Sequence, residues 1–367
     1  MHLLMIDDRV PDPRLGYGYC RAHRIVAELL EQGHRVSFLP LQRAERREGC
    51  DLAMDQVDSF DHARDLLAAI DAVWVSRLSN LRAVRQGAPE LLSARRWLYD
   101  CEALHSTRNA LWAALGHRPA ASQITDVAAE AALWRNAAVT IAAARQDAAV
   151  LAGHGAAVDE VVGHVISAAP GVKRFAERSG ILFLGSFLNF GSWSPNWDAL
   201  RYIIDTLWPG LQELGATLTV AGHGAARAWA ALGRDEPGVV IESDVTDLAD
   251  LYDRHRVVLA PTRFASGIPW KLHEAFAFGV PAVVSAVLAQ QMIAETPHHA
   301  GYFEQWSATA PDGYLRAVGT LYRDRQAWEA AQLAALAMVT DGCRPDQFAG
   351  GIRRSVERLG GHKLSGS

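Results

Sequence analysis

The stretch RFASGIPWKLHEAFAFGVP, residues 263–281, follows the apolar run VVLA of residues 257–260 and decides how this chain is interpreted. The apolar run predicts a buried β-strand, and the glycine and proline after it predict a turn into a short helix. The turn and helix carry two cations and a carboxylate, Arg263, Lys271 and Glu274. This combination suits a nucleoside diphosphate, because cations bind its phosphates and a carboxylate accepts hydrogen bonds from its ribose.

The start of the predicted helix has the chemistry of an anion site. Pro269 fits the first helical position, and Ile268 before it has no side chain that can cap the helix. The first backbone N–H groups are then free for an external anion, and Gly267 lets a ligand approach the backbone. Lys271 and Glu274 are three residues apart and share a helix face, so an ordinary surface ion pair is the competing interpretation. Spacing alone leaves both open.

The same stretch resembles a known family. Residues 260–284 fit the pattern A-P-x-R-x-x-x-G-x-x-x-K-x-x-E-A-x-A-x-G-x-P-x-V-V. This is similar to the donor-site signature of GT-B glycosyltransferases, family 4 (group 1). Looser similarity covers residues 181–200, 218–224 and 247–253 and extends faintly into the first half. The resemblance favours the nucleotide interpretation over the surface ion pair.

The resemblance implies an α/β protein of the GT-B fold, with two Rossmann-like, doubly wound parallel-sheet domains facing a central cleft. It implies transfer of a sugar from a UDP-, GDP- or dTDP-linked donor to a glycan, a lipid-linked saccharide or a small molecule, and a role in polysaccharide biosynthesis. Family members retain the anomeric configuration, and we expect metal-independent transfer here with no cofactor beyond the donor itself.

Strands alternate with helices along the whole chain, which predicts parallel sheets covered on both faces. The predicted strands are residues 3–6, 35–39, 72–76, 96–99, 139–144, 161–166, 181–184, 217–221, 239–242, 257–260 and 282–285. We expect an N-terminal acceptor domain over residues 1–170 and a C-terminal donor domain over residues 171–343. In the family the last helix crosses back to the first domain, and residues 344–359 are the candidate.

The resemblance assigns the donor site residue by residue. The residues expected to bind the nucleotide sugar are Gly16, Gly18, Gly222, His223, Asp244, Val245, Arg263, Ser266, Gly267, Ile268, Lys271 and Glu274. Arg263 and Lys271 are also the predicted catalytic cations, because they would stabilise the charge that develops on the leaving diphosphate. Gly16, Gly18 and His223 are equally compatible with ordinary turns.

Two departures from the family pattern stand out. Many members carry a glutamate that contacts the donor sugar where this chain has Ser266. Many also carry cations in the first loop of the second domain, whereas residues 186–194 read SFLNFGSWS. We therefore expect the phosphate charge to rest on Arg263 and Lys271, and the identity of the sugar stays open.

Three ionisable residues, Asp100, Glu102 and His105, follow the predicted strand at residues 96–99. The carboxyl ends of parallel strands line the crevice of an open α/β sheet. In the family this place holds polar residues that face the acceptor and the reacting sugar, so these three are the catalytic candidates of the first domain. The alternative is a polar turn that caps the next helix.

Composition agrees with a two-domain enzyme and excludes several classes. The chain has 367 residues, a net charge of −5 and interspersed charges, which argues against a nucleic-acid binder. The cysteines at positions 20, 50, 101 and 343 form no close pair, so no metal site is predicted and a reducing, cytoplasmic setting is expected. No apolar run approaches the roughly 20 residues of a membrane span. Peripheral contact with the inner face of a membrane stays open.

Two other classes of function compete with transfer. A GT-B epimerase acting on a nucleotide sugar would need carboxylates and histidines around the sugar ring. A non-catalytic GT-B scaffold would bind no nucleotide, or bind it without turnover. Release or transfer of the sugar, rather than formation of an epimer, would separate these classes.

Overall fold

The computed structural model describes residues 1–13, 18–42, 50–188, 191 and 193–361, and these form two parallel β-sheets. The first sheet contains β1 (His2–Asp7), β2 (Arg35–Pro40), β3 (Asp55–Gln56), β4 (Ala72–Ser76), β5 (Arg96–Cys101), β6 (Val139–Ala142) and β7 (Glu160–Val161). The second contains β8 (Ile181–Leu184), β9 (Leu218–Gly222), β10 (Val239–Ser243), β11 (Val257–Ala260), β12 (Ala282–Ser285) and β13 (Ser307–Ala308).

Helices connect successive strands and cover both sheets. Those of the first half are α1 (Gly18–Glu31), α2 (Phe60–Asp65), α3 (Leu78–Gly87), α4 (Glu90–Ser93), α5 (His105–Ala114), α6 (Val127–Ala131) and α7 (Arg145–Gly153). Those of the second half are α8 (Pro195–Tyr202), α9 (Trp208–Leu211), α10 (Ala225–Leu232), α11 (Leu248–Arg254), α12 (Trp270–Ala277), α13 (Ala286–Glu295), α14 (Ala300–Trp306), α15 (Pro311–Arg323), α16 (Arg325–Gly342) and α17 (Pro345–Leu359). No helix in the described part of the chain has the length and apolar character to cross a bilayer.

The strand order places a ligand crevice in each sheet. The first sheet runs β3-β2-β1-β4-β5-β6-β7 and the second β10-β9-β8-β11-β12-β13. In each, the order reverses beside the first strand of the domain, between β1 and β4 and between β8 and β11. Open parallel sheets bind ligands beyond the carboxyl ends of the strands at such a reversal. The two reversals therefore predict where a cleft between the sheets would hold a ligand.

The central strands are apolar because parallel strands are covered by helices on both sides. Every residue of β4, β11 and β12 is buried. Burial of such side chains contributes roughly 1.5–3 kcal/mol each and is the main force that holds each sheet against its helices. The α/β class and the two-sheet architecture expected from the sequence are confirmed.

The last helix returns to the first sheet. Phe348, Ile352, Val356 and Leu359 of α17 are buried in the same apolar cluster as side chains of β1, β2, β5 and β6. Their spacing gives α17 one apolar stripe, which needs a partner surface. The chain therefore crosses between the two sheets twice, once after β7 and once before α17.

The predicted strand at residues 161–166 is wrong. The structure has only Glu160–Val161 as β7, and the following residues leave the sheet. The carbonyl of Val162 accepts a hydrogen bond from Arg21 Nε at 2.9 Å, and His164 Nδ1 lies 3.1 Å from His273 Nδ1 in the second domain. The first contact holds this segment to α1, and the second joins it to the second domain. The two-residue strands β3 and β13 were not predicted, because two residues are too few to show a strand pattern.

Candidate functional site

A cavity of about 650 Å³ lies between the two domains at the carboxyl ends of both sheets. Its lining includes ten of the residues predicted from the sequence: Glu102, His105, Gly222, His223, Val245, Ser266, Gly267, Ile268, Lys271 and Glu274. The strand reversals of both sheets thus open onto one shared space. Its size is that of a small-molecule site.

Two other predicted residues, Asp100 and Asp244, are not among the lining residues. Asp100 is fully buried and accepts two hydrogen bonds from Arg21, at 2.8 and 3.0 Å. Asp244 accepts a hydrogen bond from the backbone N–H of Gly224 at 3.2 Å. Gly18 is the first residue of α1, and Gly16 lies outside the described residues.

Arg263 is not among the lining residues either, and its guanidinium already has a carboxylate partner. Its Nε donates to Asp198 Oδ2 at 2.9 Å and its Nη2 to the other oxygen of the same carboxylate. The ring of Tyr202 lies against the guanidinium, 5.1 Å from the Cζ atom. The phosphate-binding role expected of Arg263 stays a prediction.

Lys271 is the cation that residues 263–281 contribute to the lining of the cavity. Its Nζ donates to Asn196 Oδ1 at 2.8 Å and lies 5.3 Å from the centre of the Phe183 ring. Among the described residues no carboxylate pairs with it. Burial lowers the pKa of Lys271 from its usual 10.5 to about 8, because no opposite charge offsets the loss of water. An anion in the cavity would supply the missing counter-charge.

The helix that carries Lys271 begins with an uncapped end. Helix α12 starts at Trp270, one residue later than predicted, and Pro269 at its N-cap makes no side-chain hydrogen bond to the first turn. The free N–H groups and the positive end of the helix dipole favour an anion there. Glu274 lies one turn further on, and its Oε2 accepts a hydrogen bond from Tyr252 Oη at 3.0 Å. Burial raises the pKa of Glu274.

Two glycines of the lining are required by close backbone approaches. Gly222 has a φ of +125°, and a Cβ there would lie 2.0 Å from the carbonyl oxygen of Gly185. Gly267 has a φ of +78°, and a Cβ there would lie 2.7 Å from the carbonyl oxygen of Glu102 in the other domain. Only glycine combines these φ values with this little space.

Ser266 lies in the cavity lining, and its hydroxyl has no partner among the described residues. The Oγ atom itself is buried. Buried hydroxyls are normally hydrogen-bonded, so an unpaired one in a cavity wall suits a polar group of a ligand.

The first domain contributes a dense network of charges to the opposite wall. Arg77 pairs with Asp7 at 2.7 Å, with Asp8 at 3.5 Å and with Glu102 at 2.8 Å. Arg21 lies 3.6 Å from the other Glu102 oxygen. With the Arg21–Asp100 pair included, the two guanidiniums lie among four carboxylates: Asp7, Asp8, Asp100 and Glu102. Burial together with the nearby Asp7 and Asp100 outweighs both arginines and raises the pKa of Glu102 to about 8.

His105 begins α5 at the edge of this network. Burial and the nearby Arg108, Arg82 and Arg77 lower the pKa of His105 to about 3, so the ring is neutral at physiological pH. The N-terminus of α5 is satisfied from elsewhere: Glu130 accepts from the backbone N–H of His105 at 2.9 Å. The backbone of this helix end is therefore closed to a ligand, whereas the side chains remain at the cavity.

Sequence reasoning missed several residues of the lining. Asp8, Arg77 and Arg108 line the cavity from the first domain, and Asn196 from the second. Arg77 directly follows β4, and Asp100 lies near the end of β5. The rule that the carboxyl ends of parallel strands line the crevice, which selected Asp100, therefore predicts Arg77 as well. Arg77 also has a φ of 71°, an uncommon conformation for a residue with a side chain. Arg108 lies one helical turn after His105, a spacing that could have indicated it.

The described residues contain no cluster of three or more His, Cys, Asp or Glu side chains arranged to hold a metal ion. This finding concerns only protein ligands that could hold an ion without a substrate.

Comparison with known proteins agrees with the fold. Residues 181–324 match the family model described as Glycosyl transferases group 1, less than half of the chain. No curated protein matches the chain by sequence.

Solved structures are similar over nearly the whole length. HepE of Anabaena, solved with UDP and glucose, has a TM-score of 0.66 at 14% identity and covers 97% of this chain and 99% of its own. Sucrose-phosphate synthase of Thermosynechococcus elongatus has a TM-score of 0.68 at 15% identity, covering 98% and 99%. A trehalose-6-phosphate synthase has a TM-score of 0.60 at 12% identity, covering 97% and 98%. The chain therefore has the GT-B fold, and its second sheet lies in a region similar to group 1 glycosyltransferases.

Proposed function

We propose that this protein is a glycosyltransferase that moves a sugar from a nucleoside-diphosphate sugar to an acceptor bound against the first domain. The observation that carries the proposal is Lys271, a buried ammonium with no carboxylate partner among the described residues, at the uncapped start of α12. A diphosphate there gains a point charge and several free N–H donors. The leaving group of a nucleotide sugar is such a diphosphate, and its negative charge grows as the glycosidic bond breaks.

The rest of the second domain fits the same ligand. Glu274 lies one turn beyond Lys271 and lines the cavity, where its carboxylate can accept hydrogen bonds from a ribose diol. Gly222, His223 and Val245 line the cavity at the ends of β9 and β10, on the side where a base would lie. HepE, which has this fold, was solved with UDP and glucose, and this supports UDP as the first nucleotide to test.

Glu102 is the residue of the first domain best suited to proton transfer. Its carboxyl lines the cavity and its pKa is raised to about 8, near the pH at which it would work. The raised pKa makes the Glu102 carboxylate a stronger base than an ordinary glutamate, so it is better able to take the proton of an acceptor hydroxyl. We assign neutral His105 to a hydrogen bond with the reacting sugar, and Asp100 to holding Arg21 in place.

We propose retention of the anomeric configuration, following the trehalose-6-phosphate synthase of this fold, an enzyme of glycosyltransfer with retention. We also propose residues 1–170 with 344–359 as the acceptor domain and residues 171–343 as the donor domain. The packing of α17 on the first sheet supports that division. The sugar, the family 4 assignment and a role in polysaccharide biosynthesis belong to the same proposal.

Calorimetry with UDP, GDP and dTDP tests the donor site. One of them should bind the wild type, and Lys271→Met should weaken that binding about tenfold or more, the loss expected for a charge-assisted contact. Lys173→Met is the matched control, because Lys173 is exposed and pairs with Glu177 outside the cavity. No binding of any of the three, or equal affinity in Lys271→Met, would contradict the proposal.

Turnover separates the classes of function. Incubation with the matching nucleotide sugars should release free nucleoside diphosphate, by transfer or by slow hydrolysis. Formation of an epimerised nucleotide sugar without that release would indicate an epimerase. Binding without either reaction would indicate a scaffold.

A further inference from the structure

We propose that the acceptor carries an anionic group, a phosphate or a carboxylate, that binds to Arg108 in the wall of the first domain. This inference rests on the proposed function, since it names the chemistry of the second substrate. Four arginine and lysine side chains line the cavity in the described part of the chain: Arg21, Arg77, Arg108 and Lys271.

Two of these cations are already neutralised. Arg21 makes a bidentate pair with Asp100, and Arg77 pairs with Asp7 and Glu102. A further anion beside them would meet four carboxylates. These guanidiniums therefore hold the wall together and are not open to a ligand anion.

Arg108 differs from both. It lies on α5, one turn after His105, and lines the cavity while partly buried. Its guanidinium has no hydrogen bond and no carboxylate within 4.0 Å among the described residues. Burial lowers its pKa, and Glu130 is the one carboxylate that acts in the opposite direction.

Glu130 makes no hydrogen bond or ion pair with the Arg108 guanidinium, and its oxygens have other partners. It is fully buried, and its two oxygens accept the backbone N–H groups of His105 and Ser106, at 2.9 and 2.5 Å. Its charge is thereby directed at the positive end of α5. The fork of N–H donors on the Arg108 guanidinium therefore has no partner among the described residues. Arg82 and Arg77 lie close enough to lower the pKa of His105 together with Arg108.

The chemistry of that fork selects an anion over a neutral hydroxyl. A partly desolvated guanidinium without a counter-charge is costly, and a sugar hydroxyl would leave it uncompensated. Phosphate and carboxylate match the fork with two parallel hydrogen bonds and supply the charge. Among the described residues of the lining, Lys271 and Arg108 are then the two arginine or lysine side chains without a carboxylate within 4.0 Å, one for the diphosphate of the donor and one for the anion of the acceptor.

The test uses inorganic phosphate as the probe on the full chain saturated with its nucleoside diphosphate, so that the Lys271 site is occupied. Phosphate should bind saturably by calorimetry, and Arg108→Gln should weaken this binding about tenfold or more while nucleotide affinity is unchanged. Arg82→Gln removes the same charge from an exposed side chain outside the lining and should change phosphate affinity less than about threefold. No saturable binding to the wild type, or equal binding in Arg108→Gln, overturns the inference.

Competition against the bound phosphate identifies the source of the anion. Displacement by glucose 6-phosphate, and not by glucose, indicates a soluble sugar phosphate. Displacement by phosphatidylcholine vesicles that contain phosphatidic acid, and not by phosphatidylcholine alone, indicates a lipid-linked acceptor. Displacement by neither overturns the assignment to the acceptor. If no nucleotide binds, the proposed function fails, and the phosphate titration of the free protein still tests Arg108 separately.

Discussion

Asp147 of the first domain and Gly267 of the second are joined by a hydrogen bond across the domain interface. The backbone N–H of Gly267 donates to Asp147 Oδ2 at 3.0 Å, and the same oxygen accepts from the N–H of Leu104 at 3.0 Å. One carboxylate oxygen thus holds the donor loop against the loop that follows β5. We expect the spacing between the two cavity walls to depend on this contact.

Gly267→Ala should push the walls apart. The new Cβ would lie 2.7 Å from the carbonyl oxygen of Glu102, at a φ of +78°. We expect transferase activity to fall about tenfold or more, since small displacements of reacting groups have effects of this size. Gly155→Ala is the control, because Gly155 has a φ of +74° but nothing within 4 Å of the added Cβ. If both variants lost activity equally, backbone strain at a positive φ would explain the loss, and the separation of the cavity walls would not.

Asp147 should make stability depend on pH. Burial raises its pKa to about 6 despite the two backbone hydrogen bonds. The folded protein therefore holds this proton more tightly than the unfolded chain, and the stability of the wild type should rise as the pH falls through about 6. Asp147→Asn keeps an oxygen acceptor without titrating. The difference between the two proteins in free energy of unfolding, from urea titrations at about pH 7 and about pH 4, should change by about 2 kcal/mol. A flat difference would contradict the shift.

Nucleotide affinity should fall at alkaline pH. The pKa of Lys271 in the free protein is lowered to about 8, so the ammonium that binds the diphosphate is lost above that pH. The dissociation constant should then rise by up to about tenfold per pH unit, as measured by calorimetry. Lys271→Met should remove most of this dependence. We assign the pH dependence that remains in Lys271→Met to Glu102, whose carboxyl group ionises over the same pH range.

Asn196→Asp should weaken diphosphate binding. Asn196 Oδ1 accepts a hydrogen bond from Lys271 Nζ at 2.8 Å, and a carboxylate in its place would pair with the ammonium permanently. A loss of about tenfold in nucleotide affinity is expected. Asn136→Asp adds the same charge outside this cavity, next to Trp97, and should leave the affinity unchanged. An unaltered affinity in Asn196→Asp would mean that Lys271 does not contact the phosphates.

Glu102→Gln should separate catalysis from binding. If Glu102 accepts the proton of the acceptor hydroxyl, kcat should fall about 100-fold while nucleotide affinity stays within about threefold. In the wild type, kcat should rise with pH towards a plateau above about 8, where the carboxylate is ionised. Glu329→Gln, an exposed glutamate paired with Arg325, controls for the substitution itself. A wild-type pH profile that persists in Glu102→Gln would assign the base to another group.

The sequence by itself determined the elements of this protein and the local chemistry of the donor motif. The apolar runs at residues 72–76, 181–184, 257–260 and 282–285 became β4, β8, β11 and β12 with the predicted bounds. Lys271 and Glu274 share a helix that lines the cavity because residues three apart on a helix face the same side. These are local properties, fixed by hydrophobic periodicity and helix geometry.

Only the tertiary structure decided which charges remain open to a ligand. Arg263 and Lys271 look alike in sequence, but Asp198, 65 positions away, pairs with Arg263, while Lys271 finds only an amide oxygen. Asp100 neutralises Arg21 across 79 positions, whereas no carboxylate of the described residues forms an ion pair with Arg108. Electrostatic attraction depends on distances in space, and no spacing along the chain records which carboxylate the fold brings beside which guanidinium.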